Sequence, residues 1–287
     1  MEVGRVDPEH DLTPLRSFLS ESDPHDYLLD GIEEWIRREG LWVGREAGER
    51  VAFCRLEDLG DGQAWVGGVR VRATLRGRGL GRRFLAAVIA AAESEGVREF
   101  RAVIEDENLA SRRLFQRAAF EPLLALTLRV GDTDLPGPSL LARAPAVARF
   151  RGPLEWVTGA SGRIDLLSGA EGGRFGRWNP AVVERWAREG KLFVGPGLAV
   201  GVVTHWQDDP PVMWAVPLQG EPTSLLPALA SLGRELGQSS WQAFLPSTEP
   251  LRQEYRRLGL RPHALWGDRV HLYERAGARL PSLAASE

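Results

Sequence analysis

The chain has a single cysteine, Cys54, in 287 residues, so no disulfide can form within it. Its apolar setting, VAFC, reads as a buried, inert thiol rather than a nucleophile. Lysine is equally scarce: Lys191 stands alone, and nearly all positive charge is arginine. No apolar run approaches the roughly 18 residues of a membrane span. The opening MEVGRVDPEH lacks the apolar core of a secretory leader. Both observations lead to the expectation of a cytoplasmic protein with no membrane partner. A net charge of −3 offers no general attraction for polyanions, so nucleic acid is not an expected partner and any anion site must be local.

What is present is ordinary globular material, 43% hydrophobic and 26% charged, at a length that suits two domains of roughly 100 to 150 residues. The first half predicts a strand (3–6), helices (12–19 and 26–39), and a strand pair (41–43 and 50–56). A strand (64–71), a helix (82–96), a strand (99–104), a helix (109–118) and strands over 123–130 and 140–150 follow. Between the last two, GDTDLPGPS (131–139) is turn chemistry. Strands alternating with helices imply an α/β fold with a mixed sheet.

The segment EWIRREGLWVG (34–44) returns as ERWAREGKLFVG (184–195). Arg38, Glu39, Gly40, Val43 and Gly44 recur as Arg188, Glu189, Gly190, Val194 and Gly195, with one residue inserted. The later order recurs as well, in strands 198–206 and 211–216, a helix 222–236, a strand 240–245, a helix 249–258 and a strand 262–273. This predicts a duplicated unit, with domains over 1–152 and 153–287.

The densest signal is TLRGRGLG (74–81), between a strand-like and a helix-like run. Glycines in such a turn let backbone N–H groups converge where the helix N-terminus adds about half a positive charge, which suits phosphate. No Gly-Lys-Ser/Thr follows, and the glycine spacing (77, 79, 81) is not that of a dinucleotide fold. Phe84, Leu85, Val88 and Ile89 recur at helical spacing and belong to the core. Strand alternation separates Arg70 and Arg72 from the neighbouring valines, leaving Arg76, Arg78 and Arg82 for an anionic ligand.

Arg76-x-x-Gly79-x-Gly81, after a strand ending in Val71, resembles the acyl-CoA pyrophosphate loop of the GCN5-related N-acetyltransferase (GNAT) superfamily. NLASRRLFQRAAF (108–120) resembles the family's next signature at Asn108, Leu114 and Phe120, with Phe115 where tyrosine is usual and Ala119 where glycine is. The resemblance covers about residues 2–150. It implies two tandem acyl-CoA N-acyltransferase-like domains, the second degenerate, with acetyl-CoA or another acyl-CoA as co-substrate and no metal. The acceptor would be a small-molecule or peptide amine, and the protein a monomer or homodimer.

The resemblance further implies that the fourth and fifth strands splay and that pantetheine pairs with the backbone of Val69, Arg70 and Val71. The diphosphate would meet Arg76, Gly77, Arg78, Gly79, Leu80, Gly81 and Arg82, with Asn108 nearby. Two usual proton-transfer groups are absent, because Phe115 cannot donate a proton and Trp65 stands where some relatives keep a glutamate. A thiol of pKa about 8.5 leaves without much acid help, so the base matters more. Glu105 is the candidate base, with Glu33, Glu34 or a water chain as alternatives. In the second copy VPLQGEPTS (216–224) lacks the loop motif, and Glu221 would place a negative charge where the diphosphate should sit. Tyr255 falls where the family tyrosine would, followed by Gly259 and Leu260. A non-catalytic acyl-CoA-binding or scaffold protein is the first rival. A single-stranded nucleic-acid binder, which would need aromatic platforms among these arginines, is the second.

Overall fold

Asp7 opens the first helix, α1 (Pro8–Ser22), by accepting a hydrogen bond from the Glu9 N–H, with proline in the first turn where its missing N–H costs nothing. The structure, a computed structural model, describes residues 1–26, 28–37, 40–134, 141–143, 166–168, 174–177, 180–204, 212–264 and 266–276. The expected boundary at 152/153, the predicted strand beyond residue 143 and most of the 131–139 turn lie outside them. The observed α1 is longer than the predicted 12–19 because the cap and Pro8 start it earlier.

Beyond α1 the first half contains β1 (Glu2–Arg5), α2 (Leu28–Arg37), β2 (Leu41–Glu46), β3 (Glu49–Gly60), β4 (Gln63–Val71), α3 (Leu80–Ser94), β5 (Glu99–Glu105) and α4 (Leu109–Arg117). Asp61 and Gly62, both at positive φ, make the two-residue turn that joins β3 to β4. Period-two alternation gives the sheet two apolar faces. Phe53 meets Leu15, Phe18 and Leu19 of α1 and Leu28 and Ile32 of α2. Ala52, Cys54 and Leu56 turn the other way, to Phe84, Leu85, Val88 and Ile89 of α3 and Phe115 of α4. The result is helices on both sides of a mixed sheet, as expected.

The second half contains β6 (Glu121–Asp132), β7 (Ala142–Arg143), β8 (Leu166–Ser168), β9 (Phe175–Arg177), α5 (Pro180–Arg188), β10 (Leu192–Gly195), β11 (Leu198–Thr204), β12 (Met213–Gln219), α6 (Pro222–Glu235), β13 (Ser240–Pro246), α7 (Glu249–Arg257), β14 (Arg261–Pro262) and β15 (Val270–Ala276). The strand predicted over 262–273 is thus two short strands. The β10 to β13 run repeats the β2 to β5 run: three antiparallel strands, then a parallel neighbour, with Met213 opposite Trp241 as Gln63 is opposite Glu99.

Both compact units are discontinuous in sequence. The first comprises residues 1–104, 108–123 and 273–287, the second 105–107 and 124–272. Strand order in the first is β1-β2-β3-β4-β5-β15, so the last strand among the described residues joins the first sheet beside β5. Three polar links hold it there. Arg101, 1% exposed, bonds Glu274 on β15 as well as Glu99 and Gln63; Arg275 reaches Glu93 and the Ala118 carbonyl; and Arg112 donates to the Tyr273 hydroxyl at 3.2 Å. In the second unit the order is β7-β10-β11-β12-β13-β6.

The fully buried Asp11 binds Arg45 at 2.6 Å and Arg50 at 2.8 Å. Burial by itself would raise its pKa. The Asp7 N–H and the two guanidiniums outweigh that and hold the carboxyl below its ordinary value. A depressed folded-state pKa contributes stability that is present above the unfolded value near 4 and is lost as pH falls through the folded one. Asp11→Ala should therefore destabilise by about 3 kcal/mol at pH 7, the lower end for breaking a buried pair because both arginines keep some water. In urea melts the deficit should shrink on going from pH 7 to pH 2.

Candidate active site

β4 and β5 are paired only at Gln63–Glu99, Ala64–Phe100 and Trp65–Arg101. Beyond Trp65 the ladder stops, and residues 67–71, although on a strand with neighbours to either side, are half-exposed. The opposite edge of β4 is irregular at the same place. Phe53 faces Arg70 while Arg55 faces Gly67, so β4 carries one extra residue there, with Gly68 at φ +60°. Such a bulge takes backbone groups out of the ladder and bends the strand. Parallel strands that part beside a bulge leave a wedge with unpaired main chain along one wall.

The glycine-rich loop lies at the mouth of this wedge. After a short 3-10 turn (Ala73–Leu75), Gly77 and Gly79 adopt φ +79° and +74°, and a Cβ built on either meets nothing within 4 Å. Gly79 caps α3 with no side-chain acceptor, so the first-turn N–H groups, including that of Leu80, face the same open corner as the helix dipole. Arg78 and Arg82 are exposed and have no carboxylate partner among the described residues. Arg76 donates to the Val71 carbonyl at 3.0 Å, tying the loop to the strand end.

Other expected contacts are used differently. Gly81 is tight packing: a Cβ there would lie 3.3 Å from Val71 and 3.6 Å from Leu114, so its missing side chain lets α3 sit close to β4 and α4. The Arg70 side chain is not available to a cofactor. Strand alternation turns it to the α2 side, where it clasps the nearly buried Asp26 at 2.6 and 3.1 Å, leaving only its backbone beside Val69 and Val71. Asn108 caps α4 through its side-chain oxygen, which accepts from Ser111, and keeps only its amide N–H2 free for a ligand.

Among the candidate bases, Glu105 ends β5, half-buried, on the face it shares with Arg101, and falls with residues 105–107 into the second compact unit. Glu33 pairs with Arg16 at 3.2 Å, and the Glu34 side chain lies outside the description. Phe115 is buried edge-on against Phe120, so α4 brings no hydroxyl to this position. Burial pushes the Cys54 thiol well up, consistent with an unreactive core residue. The residue that sequence reasoning missed is Tyr273, whose phenol enters the same core as Phe115. Its strand was legible in the alternating VHLYERA, but not the sheet that strand would join.

In the second unit the equivalent corner is filled. Gly220, at φ +130°, would place a Cβ 2.6 Å from Leu198 and 3.5 Å from Leu225, and α6 starts behind the acidic Glu221. Tyr255 is fully buried and donates to the Pro246 carbonyl; burial raises its pKa despite the opposing charge of Arg129 beside the ring. It is a packing residue, as the absence of an anion corner requires.

An anion corner at the mouth of a splayed, bulged pair of strands is the layout that the loop resemblance implies, and residues 10–120 match the profile of the acetyltransferase (GNAT) family. This stretch is similar to that family. Likeness in fold extends over the whole chain. A protein of Thermoplasma acidophilum superposes with a TM-score of 0.62 at 17% identity, covering 96% of this chain and all of its own. A GCN5-related N-acetyltransferase from Sphaerobacter thermophilus gives 0.56 at 14%, covering 97% of each chain. A tandem GNAT protein from the clavulanic acid biosynthesis pathway gives 0.56 at 15%, covering 98% and 99%. No curated protein matches the sequence at a significant level. The chain as a whole thus shares the fold of these proteins. Among the described residues no helix is long and apolar enough to cross a membrane, and no cluster of three or more histidine, cysteine or acidic side chains could hold a metal.

Proposed function

We propose that the first GNAT unit binds an acyl-CoA and transfers its acyl group to an amine. The observation that carries this reading is the contrast between two equivalent corners. Gly77 and Gly79 leave space around an uncapped helix N-terminus, whereas Gly220 is closed in by Leu198. Backbone N–H groups with a helix dipole and two unpaired arginines match a diphosphate in charge and in hydrogen-bonding sense.

Acyl-CoA supplies the activated acyl group. The protein's part is to hold and orient it. In this reading the main chain of Val69 and the N–H of Val71, whose carbonyl is taken by Arg76, meet pantetheine, and an N–H of the bulge near Gly68 meets charge on the acyl oxygen. The incoming ammonium must lose a proton, and Glu105 is the proposed acceptor of it. Positioning dominates the rate: holding reactants together supplies effective molarities around 10⁵ to 10⁸ M, against 10²- to 10⁴-fold for acid or base help. Loss of tyrosine at 115 therefore lowers turnover rather than forbidding it.

Two measurements test this. Coenzyme A at 100 times its dissociation constant should stabilise the fold by about 2.7 kcal/mol, read as a rise in Tm. Thiol release from acetyl-CoA over an amine panel should then show transfer, and Glu105→Gln should lower it 10²-fold or more with coenzyme A binding unchanged. Turnover in Glu105→Gln equal to wild type at every pH would remove that residue from the mechanism. The buried Phe115 favours a second reading, binding without transfer; tight coenzyme A binding with no thiol release for any amine would establish it.

A further inference from the structure

The second unit gathers buried hydrogen-bonding groups that its own fold does not use. On β6, Thr127 and Arg129 stand opposite Leu245 and Ala243 of β13, so they share the face on which those two join the core with Tyr255 of α7. Ser247, whose N–H bonds the Ala125 carbonyl, lies two residues beyond Leu245 and falls on that face as well. Thr127 is fully buried, Arg129 is 1% exposed and Ser247 6%. Arg252 is three residues before Tyr255, on the side of α7 that meets the sheet.

Among the described residues, the hydroxyls of Thr127 and Ser247 and the Nε–H groups of Arg129 and Arg252 are buried without a hydrogen-bond partner. One carboxylate, Asp268, serves both guanidiniums, bonding Arg129 and lying 4.0 Å from Arg252; Glu249 also bonds Arg252 but is shared with Arg256. The first unit is different: Arg112, at the same place on its helix, gives its Nε–H to the Tyr273 hydroxyl at 3.2 Å. In addition α7 starts behind Thr248 without a side-chain cap, which adds the positive end of its dipole beside Ser247. Both guanidinium groups are donors and both hydroxyls can donate, so the partner that would satisfy them is an anion with several oxygens, not a cation or an apolar group. Asp268 brings only two oxygens, is more than half exposed and follows Gly267 at φ +62°, whereas a phosphate group brings three or four.

We propose that this corner of the second unit binds a phosphate group, clamped by Arg129 and Arg252, with Thr127 and Ser247 as further donors, in place of the Asp268 carboxylate. It uses none of the residues assigned to acyl transfer and stands independently of that reading.

Calorimetric titration of the full chain at constant ionic strength, with coenzyme A present to occupy the glycine-rich corner of the first unit, uses inorganic phosphate and glycerol 3-phosphate as probes. One saturable site is expected, and the probe that binds more tightly assigns the group as free or esterified. Asp268→Ala should bind at least tenfold more tightly, because the competing carboxylate is gone. Thr127→Val keeps the side-chain shape and removes only the hydroxyl; without phosphate it should melt no lower than wild type, and it should bind phosphate at least tenfold more weakly. Arg129→Met should abolish binding. A purely structural Arg129 to Asp268 pair predicts instead that Asp268→Ala melts lower and gains no affinity. No saturable binding to Asp268→Ala, or binding that Thr127→Val and Arg129→Met leave unchanged, would overturn the assignment.

Discussion

A chain ending at Leu272 should lose the cooperative unfolding of its first unit, together with any coenzyme A binding, although the truncation lies far in sequence from the glycine-rich loop. The cut removes Tyr273 from a core it shares with Phe84, Phe100 and Phe115. Loss of a buried aromatic side chain costs about 3–5 kcal/mol. It also strips Glu274 from Arg101, which is 1% exposed and keeps only Glu99 and Gln63, and it deletes the bonds of Arg275 to Glu93 and Ala118. A partly uncompensated buried guanidinium adds a few kcal/mol more. The sum is comparable with the entire 5–15 kcal/mol by which a domain is stable. Tyr273→Phe, which keeps the ring and loses only the Arg112 bond, should cost about 1 kcal/mol. Thermal melts followed by circular dichroism, with coenzyme A titrations, make the comparison. A truncated chain that melts within a few degrees of full length and binds coenzyme A normally would show that β15 is an ornament of the first sheet.

The second large effect is expected at Gly79. At φ +74° a branched side chain is strained, and valine there would stand in the open corner over the first turn of α3. Gly79→Val should weaken coenzyme A binding at least 100-fold, about 2.8 kcal/mol at 1.4 kcal/mol per decade. Gly237→Val is the matched control. That glycine also has positive φ, +73°, and open space around it, but sits at the far end of α6. It should show similar strain in stability and no change in coenzyme A affinity. Equal loss of affinity in the two variants would mean that backbone strain alone explains the effect.

Much of the candidate site was legible because its chemistry is local. Positive-φ glycines at 77 and 79, the helix that follows, and Asn108 as a cap all depend on a few neighbouring residues, and each sits where the sequence led one to expect. The filled corner of the second unit was foreshadowed by Glu221 and the missing motif. Less was legible wherever a side chain chooses among distant partners. Arg70 was expected to meet pantetheine through its backbone, and the partner of its guanidinium, Asp26, lies 44 positions away. Gly81 was assigned to the ligand, and its tight spacing against Val71 and Leu114 adds a demand of packing that the motif did not show.

Sequence alone determined the class of fold, the repeated order of elements and the open glycine turn at a helix start, because hydrophobic period, glycine conformation and helix-start charge are properties of short segments. Only the tertiary structure decided that β15 joins the first sheet and that the units interrupt each other along the chain. A strand's alternation states which face is apolar, while its backbone hydrogen bonds suit any edge of matching direction. The choice is made by side chains far apart in sequence, here Arg101 with Glu274 and Arg112 with Tyr273.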